Sequence, residues 1–431
     1  MKIAGKTAAE IFDCIRLMTR SKALQPGDAL PPVRDLAVAL EVNRNTVAAA
    51  YKRLVAAGIA VSQGRLGTLI RHTENMVERE GGVQGSPLMD VASGNPNPQW
   101  LPDVAAALAQ RPYRPRLYGE PTVNAELEAY GRRWMEPDCP AAGEINLTHG
   151  AVDAVERLLA AELVGGDKVV VESPCFLSSI NTLRVVGLVP VGVAVDSEGM
   201  CPAGLAAALE AGAQAVVLTP RAHNPTGCSL SAGRAAQLQA LLAQYPHVLI
   251  IVDDHFALLS SQPYHSVIPA SAERWALIRS VSKVLGPDMR LALVCSDAQT
   301  SRRLRLRLVS GTNWISHLLQ DVVLASLTSP LFEPQISRAK ADYAQRQQWL
   351  RQALQQHGLQ VPASCDGLNL WLPLQQEAQP LAHALARRGW LVRNSEPFCL
   401  DEAVAGLRLT IATLDEPQAH KLAEDIRACL G

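Results

Sequence analysis

"LIRSVSKVLGPDMRLAL", residues 277–293, carries the pattern that decides the fold. A short apolar run ends in Ser280, Val281 and Ser282, and the next residue is Lys283. "GPD" then turns the chain, and Arg290 opens a returning apolar run. Lysine is ordinarily a solvated surface residue. This one stands where a strand runs into a tight turn, the place where open α/β sheets gather the groups that meet a ligand.

The neighbouring sequence repeats the arrangement. "KVVVES" (168–173), "AVVLTP" (215–220), "VLIIVDD" (248–254) and "WALIRSVS" (275–282) are short, continuously apolar runs. Such runs suit strands covered on both faces. "AVDAVERLLAAEL", "AGRAAQLQALLAQY" and "SRRLRLRLVS" supply helices between them. The alternation predicts an α/β body with a largely parallel sheet from about residue 90. "LQVPASCDGLNLWLPL", "PLAHALARRGWLV", "GLRLTIATL" and "DEPQAHKLAEDIRACLG" predict a smaller C-terminal α/β subdomain.

Polar residues collect where these strands end. "TPRAHNPTG" (219–227) closes one, "DDH" (253–255) the next and "SVSK" (280–283) the next. "THGAVDAV" (148–155) places small residues at a helix start, where free N–H groups favour phosphate. "NPTG" alone is a common turn, and a single Asp pair is more often a cap. In this order the groups match what pyridoxal 5′-phosphate needs. A lysine amine forms a Schiff base with the aldehyde, an acid holds the ring nitrogen protonated, and serines, an arginine and backbone donors hold the phosphate.

On these motifs, residues 90–431 resemble the fold-type I PLP-dependent aminotransferases. The resemblance makes Lys283 the Schiff-base lysine, Asp253 the partner of the ring nitrogen and Asn224 the partner of the ring hydroxyl oxygen. Phe176, in "ESPCF", stacks on the ring. Ala151 and Val152 offer N–H groups to the phosphate, with Ser280, Ser282 and Arg290. Tyr118, in "YGEPT", resembles the tyrosine that reaches a neighbouring subunit's phosphate, which implies a homodimer. Arg408, in "GLRLTIA", resembles the arginine that pairs with a carboxylate. The pattern departs at His255, where the family has tyrosine, and an imidazole is shorter and able to change charge near neutral pH. Val123 and Glu128 stand where the family prefers Gly and Arg.

The 431 residues allow two or three domains, and 48% hydrophobic with 19% charged residues is a folded composition. The net charge of −1 conceals an asymmetry. Residues 1–72 hold eleven Lys/Arg against five Asp/Glu, a net of +6, which leaves −7 for the remainder. A basic segment on an acidic body predicts a polyanionic partner for that segment alone. Nine cysteines without a C-x-x-C pair argue for reduced thiols, hence a cytoplasmic protein with neither disulfides nor a metal site. No N-terminal apolar run suggests a signal peptide, and no run reaches membrane-spanning length. The longest, "VVGLVPVGVAV" (185–195), reads as a buried strand and turn.

The basic segment has its own pattern. "TAAEIFDCIRLMTR" (7–20) sets Ile11, Ile15 and Met18 on one helical stripe beside Phe12. "VRDLAVAL" (33–40) follows prolines as a second helix, and "NTVAAAYKRLVAAG" (45–58) is a third, stopped by Gly58. "IAVSQGRLGTLIRH" reads as a hairpin wing. Together these form an α+β winged helix-turn-helix. Asn43, Arg44, Asn45 and Thr46 cluster at the third helix's start to meet DNA, Arg34 begins the second helix, and Gly64, Arg65 and Gly67 let the wing approach a groove.

Residues 24–70 resemble the winged helix-turn-helix of the GntR regulators, with departures at Pro32, Asn43 and Ala48. A GntR head on an aminotransferase-like body is the layout of the MocR subfamily. The resemblance implies a DNA-binding domain over residues 1–72, a flexible linker over 73–89 and a PLP-binding effector and dimerisation domain over 90–431. It also implies a double-stranded DNA operator and a homodimer with the head of one subunit near the body of the other. PLP, a vitamer or an amino compound would be the effector, and vitamin B6-related genes the target. The losses at His255, Val123 and Glu128 favour sensing over catalysis. The alternative is a catalytically active aminotransferase carrying a DNA-binding head.

Overall fold

The structure is a computed structural model that describes residues 2–57, 59–62, 67–70, 81–82, 85–111, 114–362, 365–400 and 404–430. The chain forms two compact units. One is built on Met1–Val77 with Val164–Gly166, the other on Glu78–Leu163 and Asp167–Gly431.

In the first unit, Thr7 caps helix α1 (Ala8–Arg20) by accepting from the Glu10 N–H at 3.2 Å. Helix α2 (Val33–Leu40) begins after Pro32 and ends at Glu41 in the left-handed conformation. Lys6 closes that end by donating to the Leu40 carbonyl at 2.8 Å. Helix α3 (Arg44–Ala56) follows a three-residue turn and is capped by Ala57; the expected stop, Gly58, lies outside the described residues. Ile11, Ile15, Leu36, Val47, Tyr51 and Leu54 form the shared core. Each such side chain contributes roughly 1.5–3 kcal/mol on burial. Strands β1 (Ala60–Ser62) and β2 (Thr68–Ile70) pair antiparallel as the wing, with Ala60 opposite Ile70.

In the second unit, β3 (Met89–Asp90) lies at an edge. The main sheet contains β4 (Glu144–Thr148), β5 (Lys168–Ser173), β6 (Val189–Asp196), β7 (Gly199–Met200), β8 (Ala215–Leu218), β9 (Leu249–Asp253), β10 (Trp275–Ser280) and β11 (Ala292–Ser296). Their order is β4-β11-β10-β9-β8-β5-β6-β7. The five strands from β10 to β6 are parallel, and β11 runs antiparallel to both its neighbours. Val169 and Val171 enter the core on one face, Val170 on the other, and Ile250 and Ile251 divide likewise. Both faces are covered, which is why these strands are apolar at every position.

Residues 185–195 depart from the expected buried strand. The stretch starts in the helix Leu177–Val186, turns at Gly187 in the left-handed region (φ +80°) and enters β6, where Val193 is the buried residue. β6 pairs with β5 over Val189–Ala194, but on its other side only Val195 and Asp196 pair with the two-residue edge strand β7, which leaves most of that side uncovered by a strand.

The smaller subdomain is an antiparallel sheet of β12 (Asn369–Pro373), β15 (Gly406–Thr410) and β14 (Arg393–Asn394), in that order, with β13 (Trp390–Leu391) pairing parallel to β3. The chain is thus already hydrogen-bonded to this unit before residue 90: Gly81 donates to the Ser93 carbonyl and Met89 to that of Gly389. No helix among the described residues is long and apolar enough to cross a membrane.

Candidate DNA-binding surface and cofactor cavity

The start of α3 is exposed at Asn43, Arg44 and Asn45, and Thr46 is half-buried. Asn43 is the helix cap: its Oδ1 accepts from the Asn45 N–H at 2.8 Å. Arg34 is exposed on the first turn of α2. Neither Arg34 nor Arg44 forms an ion pair with another described residue, which leaves both cations available to phosphate. Gly67 precedes β2 in the left-handed region (φ +83°), and a Cβ there would meet nothing within 4 Å among the described residues. Gly64 and Arg65 lie outside the described residues.

In the second unit a cavity of about 300 Å³ opens at the C-terminal ends of β5, β8, β9 and β10. The chain goes from β5 to β6 on one side and later crosses to β8 on the other, so the cavity sits where the strand order reverses. Lys283, Asp253, Asn224, His255, Phe176, Ala151, Val152, Ser280, Ser282 and Arg290 all line it.

Each wall has a local cause. Asp253 ends β9 with a buried Oδ1 that has no hydrogen-bond partner among the described residues. Burial, then the Asp254 and Glu172 carboxylates, push Asp253 from 3.8 up to about 7. Asp254 points the other way, into a buried pair with Arg221 (2.8 Å) and Arg279 (2.9 Å). That pair anchors the end of β9 beneath the cavity. Ser280 and Ser282 lie 3.2 Å apart through their hydroxyls. The Lys283 Nζ donates to the Gly94 carbonyl at 2.8 Å.

Opposite, Gly150 (φ +89°) starts the helix Ala151–Glu162 with no side-chain cap. A Cβ there would stand 3.1 Å from the Arg290 guanidinium, so only glycine lets the arginine approach the helix start. The helix dipole, the bare N–H groups and Arg290 make one positive corner. Asn224 accepts from Arg408 Nη1 at 3.0 Å. Gly227 closes the same turn in the left-handed region (φ +72°), where a Cβ would stand 2.6 Å from the Asn369 carbonyl.

Arg408 does not line the cavity, and neither does Tyr118, which is expected to serve a neighbouring subunit's cavity instead. Arg408 is fully buried behind it, held by Asn224 and the Ala92 carbonyl, with its guanidinium 5.0 Å over the Phe398 ring. Tyr118 is 92% exposed, edge-on to Trp314 at 5.6 Å. His255 corrects the sequence reading. Burial and the Lys283 ammonium hold its imidazole down at about 4, so it stays neutral at pH 7 rather than changing charge there.

Sequence reasoning missed the wall formed by Ser93, Gly94, Asn95, Glu172 and Thr219. Glu172 carried a signal, a charge at the end of an otherwise apolar strand. Its Oε2 accepts from the Thr219 N–H at 3.0 Å and lies 3.3 Å from His223 Nε2. Burial opposes a charge on His223, but the Glu172 carboxylate outweighs it and raises the imidazole to about 10. Residues 93–95 carried no signal, because folding alone brings them to Lys283.

A free acceptor for a ring N–H, a lysine amine, and a positive corner for a phosphate fit pyridoxal phosphate chemically.

Comparison with known proteins gives the family. Residues 7–70 match the family of bacterial regulatory proteins called gntR, and residues 86–426 match aminotransferase class I and II. The chain is 54% identical over 429 residues, spanning 100% of both chains, to the vitamin B6 salvage pathway transcriptional repressor PtsJ of Salmonella typhimurium. In fold it is similar to the multiple substrate aminotransferase of Thermococcus profundus, with a TM-score of 0.73 at 20% identity, covering 81% of this chain and 93% of that one. It is also similar to the α-aminoadipate aminotransferase LysN of Thermus thermophilus, solved with N-(5′-phosphopyridoxyl)-L-leucine. That match has a TM-score of 0.69 at 21% identity and covers 80% of this chain and 92% of that one. With a GntR helix-turn-helix followed by an aminotransferase class I and II body, the chain belongs to the MocR-type regulators of the GntR family.

Proposed function

We propose that this chain is a DNA-binding repressor of vitamin B6 salvage whose second unit binds pyridoxal 5′-phosphate covalently at Lys283 and uses it, or a related vitamer or amino compound, as its signal. The observation that carries the reading is the orphaned buried Oδ1 of Asp253 in the cavity that also holds Lys283. A carboxylate left there without a donor costs folding energy, and a pyridinium N–H removes that cost. When bound, the cofactor would supply an aldehyde able to take up the Lys283 amine. Ser280, Ser282, Arg290 and the N–H groups at Ala151 and Val152 would hold the phosphate, Asn224 the ring oxygen, and Phe176 the ring face. His255, neutral, offers one imidazole hydrogen bond in place of a phenol. Arg34, Asn43, Arg44, Asn45, Thr46 and the wing bind the operator, and the 73–89 segment joins the units.

Full-length likeness to a repressor of B6 salvage supports the target and the sign of regulation. The exposed Tyr118 supports a homodimer in which it serves the partner's cavity, so that two heads read paired half-sites. A second reading, an active aminotransferase with a DNA-binding head, is favoured by the match of residues 86–426 to aminotransferase class I and II. Turnover of bound cofactor by amino acids would decide for it.

Adding pyridoxal phosphate to the ligand-free protein should raise the absorbance band of the covalent adduct, and Lys283→Ala should abolish it. A wild-type protein that gives no band overturns the cofactor assignment.

A further inference from the structure

The segment Val91–Asn97 crosses the cavity between two fixed ends. At one end Val91 donates to the Leu391 carbonyl (3.0 Å) and accepts from the Thr410 N–H (2.8 Å), and Ala92 is held by Arg408. At the other end the Asn97 N–H donates to the Tyr343 hydroxyl at 3.0 Å. Between them, Ser93, Gly94 and Asn95 form cavity wall. The Gly94 N–H donates to Thr410 Oγ1 at 3.0 Å, and the Gly94 carbonyl receives the Lys283 ammonium at 2.8 Å. That ammonium bond is charge-assisted, so it is the strongest of the bonds holding the middle of the segment. The Ser93 carbonyl in turn holds Gly81 at 3.0 Å, and Gly81 follows the DNA-binding unit in sequence.

We infer that Val91–Asn97 is a strap held shut by the Lys283–Gly94 contact, and that covalent capture of the Lys283 amine by an aldehyde releases it. This rests on the proposed chemistry at Lys283. The amine nitrogen forms a double bond to the aldehyde carbon and the carbonyl oxygen leaves as water. Nitrogen passes from three N–H donors to one at most, and that one belongs to the bound ring. The Gly94 carbonyl loses its cation, and the Ser93–Gly81 bond loses the support beneath it. The cavity thereby acts on the segment that precedes the second unit's sheet and follows the head in sequence. The ligand class that opens the strap is an aldehyde. An alcohol of otherwise the same shape occupies the cavity and leaves the strap shut.

Amide hydrogen exchange on the full-length protein, read over peptides covering 81–97, tests this. Pyridoxal phosphate should speed exchange around Gly94 by roughly tenfold, the size of one lost charge-assisted hydrogen bond. Pyridoxine phosphate, which has no aldehyde, should not. Lys283→Met should be fast with no ligand at all. Lys283→Arg, which keeps a cationic donor but cannot condense, should stay slow with and without pyridoxal phosphate. The strap is refuted if folded Lys283→Met exchanges like wild type, or if wild type fails to speed up once the adduct band is present. It is also refuted if Lys283→Arg responds to pyridoxal phosphate as wild type does. Should no adduct band form, the cofactor assignment fails instead, and the ligand-free Lys283→Met comparison still decides the strap.

Discussion

Replacing Asp253 by Asn should stabilise the ligand-free protein while destroying its affinity for pyridoxal phosphate. The magnitude follows from the site. Asp253 is raised from 3.8 to about 7 by burial and by Asp254 and Glu172, so the folded chain holds a proton that the unfolded chain has released. Wild-type stability therefore falls as pH rises between those values and is flat above about 7. An amide has no such penalty. The gap between Asp253→Asn and wild type should be near zero at pH 4. It should grow by about 1.4 kcal/mol per pH unit and reach about 4 kcal/mol at pH 8. Urea unfolding at several pH values, followed by circular dichroism without ligand, measures it. Other titrating groups are common to both proteins and cancel in the difference. A variant less stable than wild type at pH 8 would refute the picture of a desolvated, unpartnered carboxylate. Undiminished cofactor affinity in the variant would refute its pairing with the ring nitrogen.

Other outcomes follow from the same geometry. His223, raised from 6.5 to about 10 by Glu172, contributes stability that is full below pH 6.5 and fades as pH rises toward 10. His223→Gln should cost roughly 3 kcal/mol at pH 6, with the deficit narrowing by pH 10 in the same unfolding series. His255, lowered from 6.5 to about 4, has the opposite slope. His255→Gln should match wild type above pH 6.5 and become the more stable protein by up to about 3 kcal/mol as pH falls to 4. In the first unit, Asn43→Ala removes the cap of α3 and should cost about 1 kcal/mol, seen as a lower melting temperature of that unit.

Much of this molecule is legible in its sequence because periodicity and apolarity report covered faces. Continuous apolar runs gave the parallel strands, since both faces of that sheet are buried, and the Ile11–Ile15–Met18 stripe gave α1. Lys283, Asp253, Asn224, His255, Ser280 and Ser282 were readable because strand ends place them in order along the chain, and Ala151 and Val152 because small residues mark a helix start, whereas Phe176 came only from the resemblance. The strap was not readable, because Gly94 meets Lys283 across a sequence separation of 189 and a backbone carbonyl leaves no mark on residue type. The protonation of His255 was misread because the sequence shows the imidazole but not its burial or the ammonium beside it. β6 was read as buried because apolar residues near a sheet edge look like those at its centre.

The most direct test of the account is affinity for the DNA beside the protein's own gene, measured at fixed salt with and without pyridoxal phosphate, for wild type and Lys283→Ala. The account predicts that the cofactor shifts wild-type affinity and leaves Lys283→Ala unmoved, since a ligand acts only through its different preference for two arrangements of the protein. Wild-type affinity that is the same with and without cofactor, with the adduct band fully developed, would contradict it.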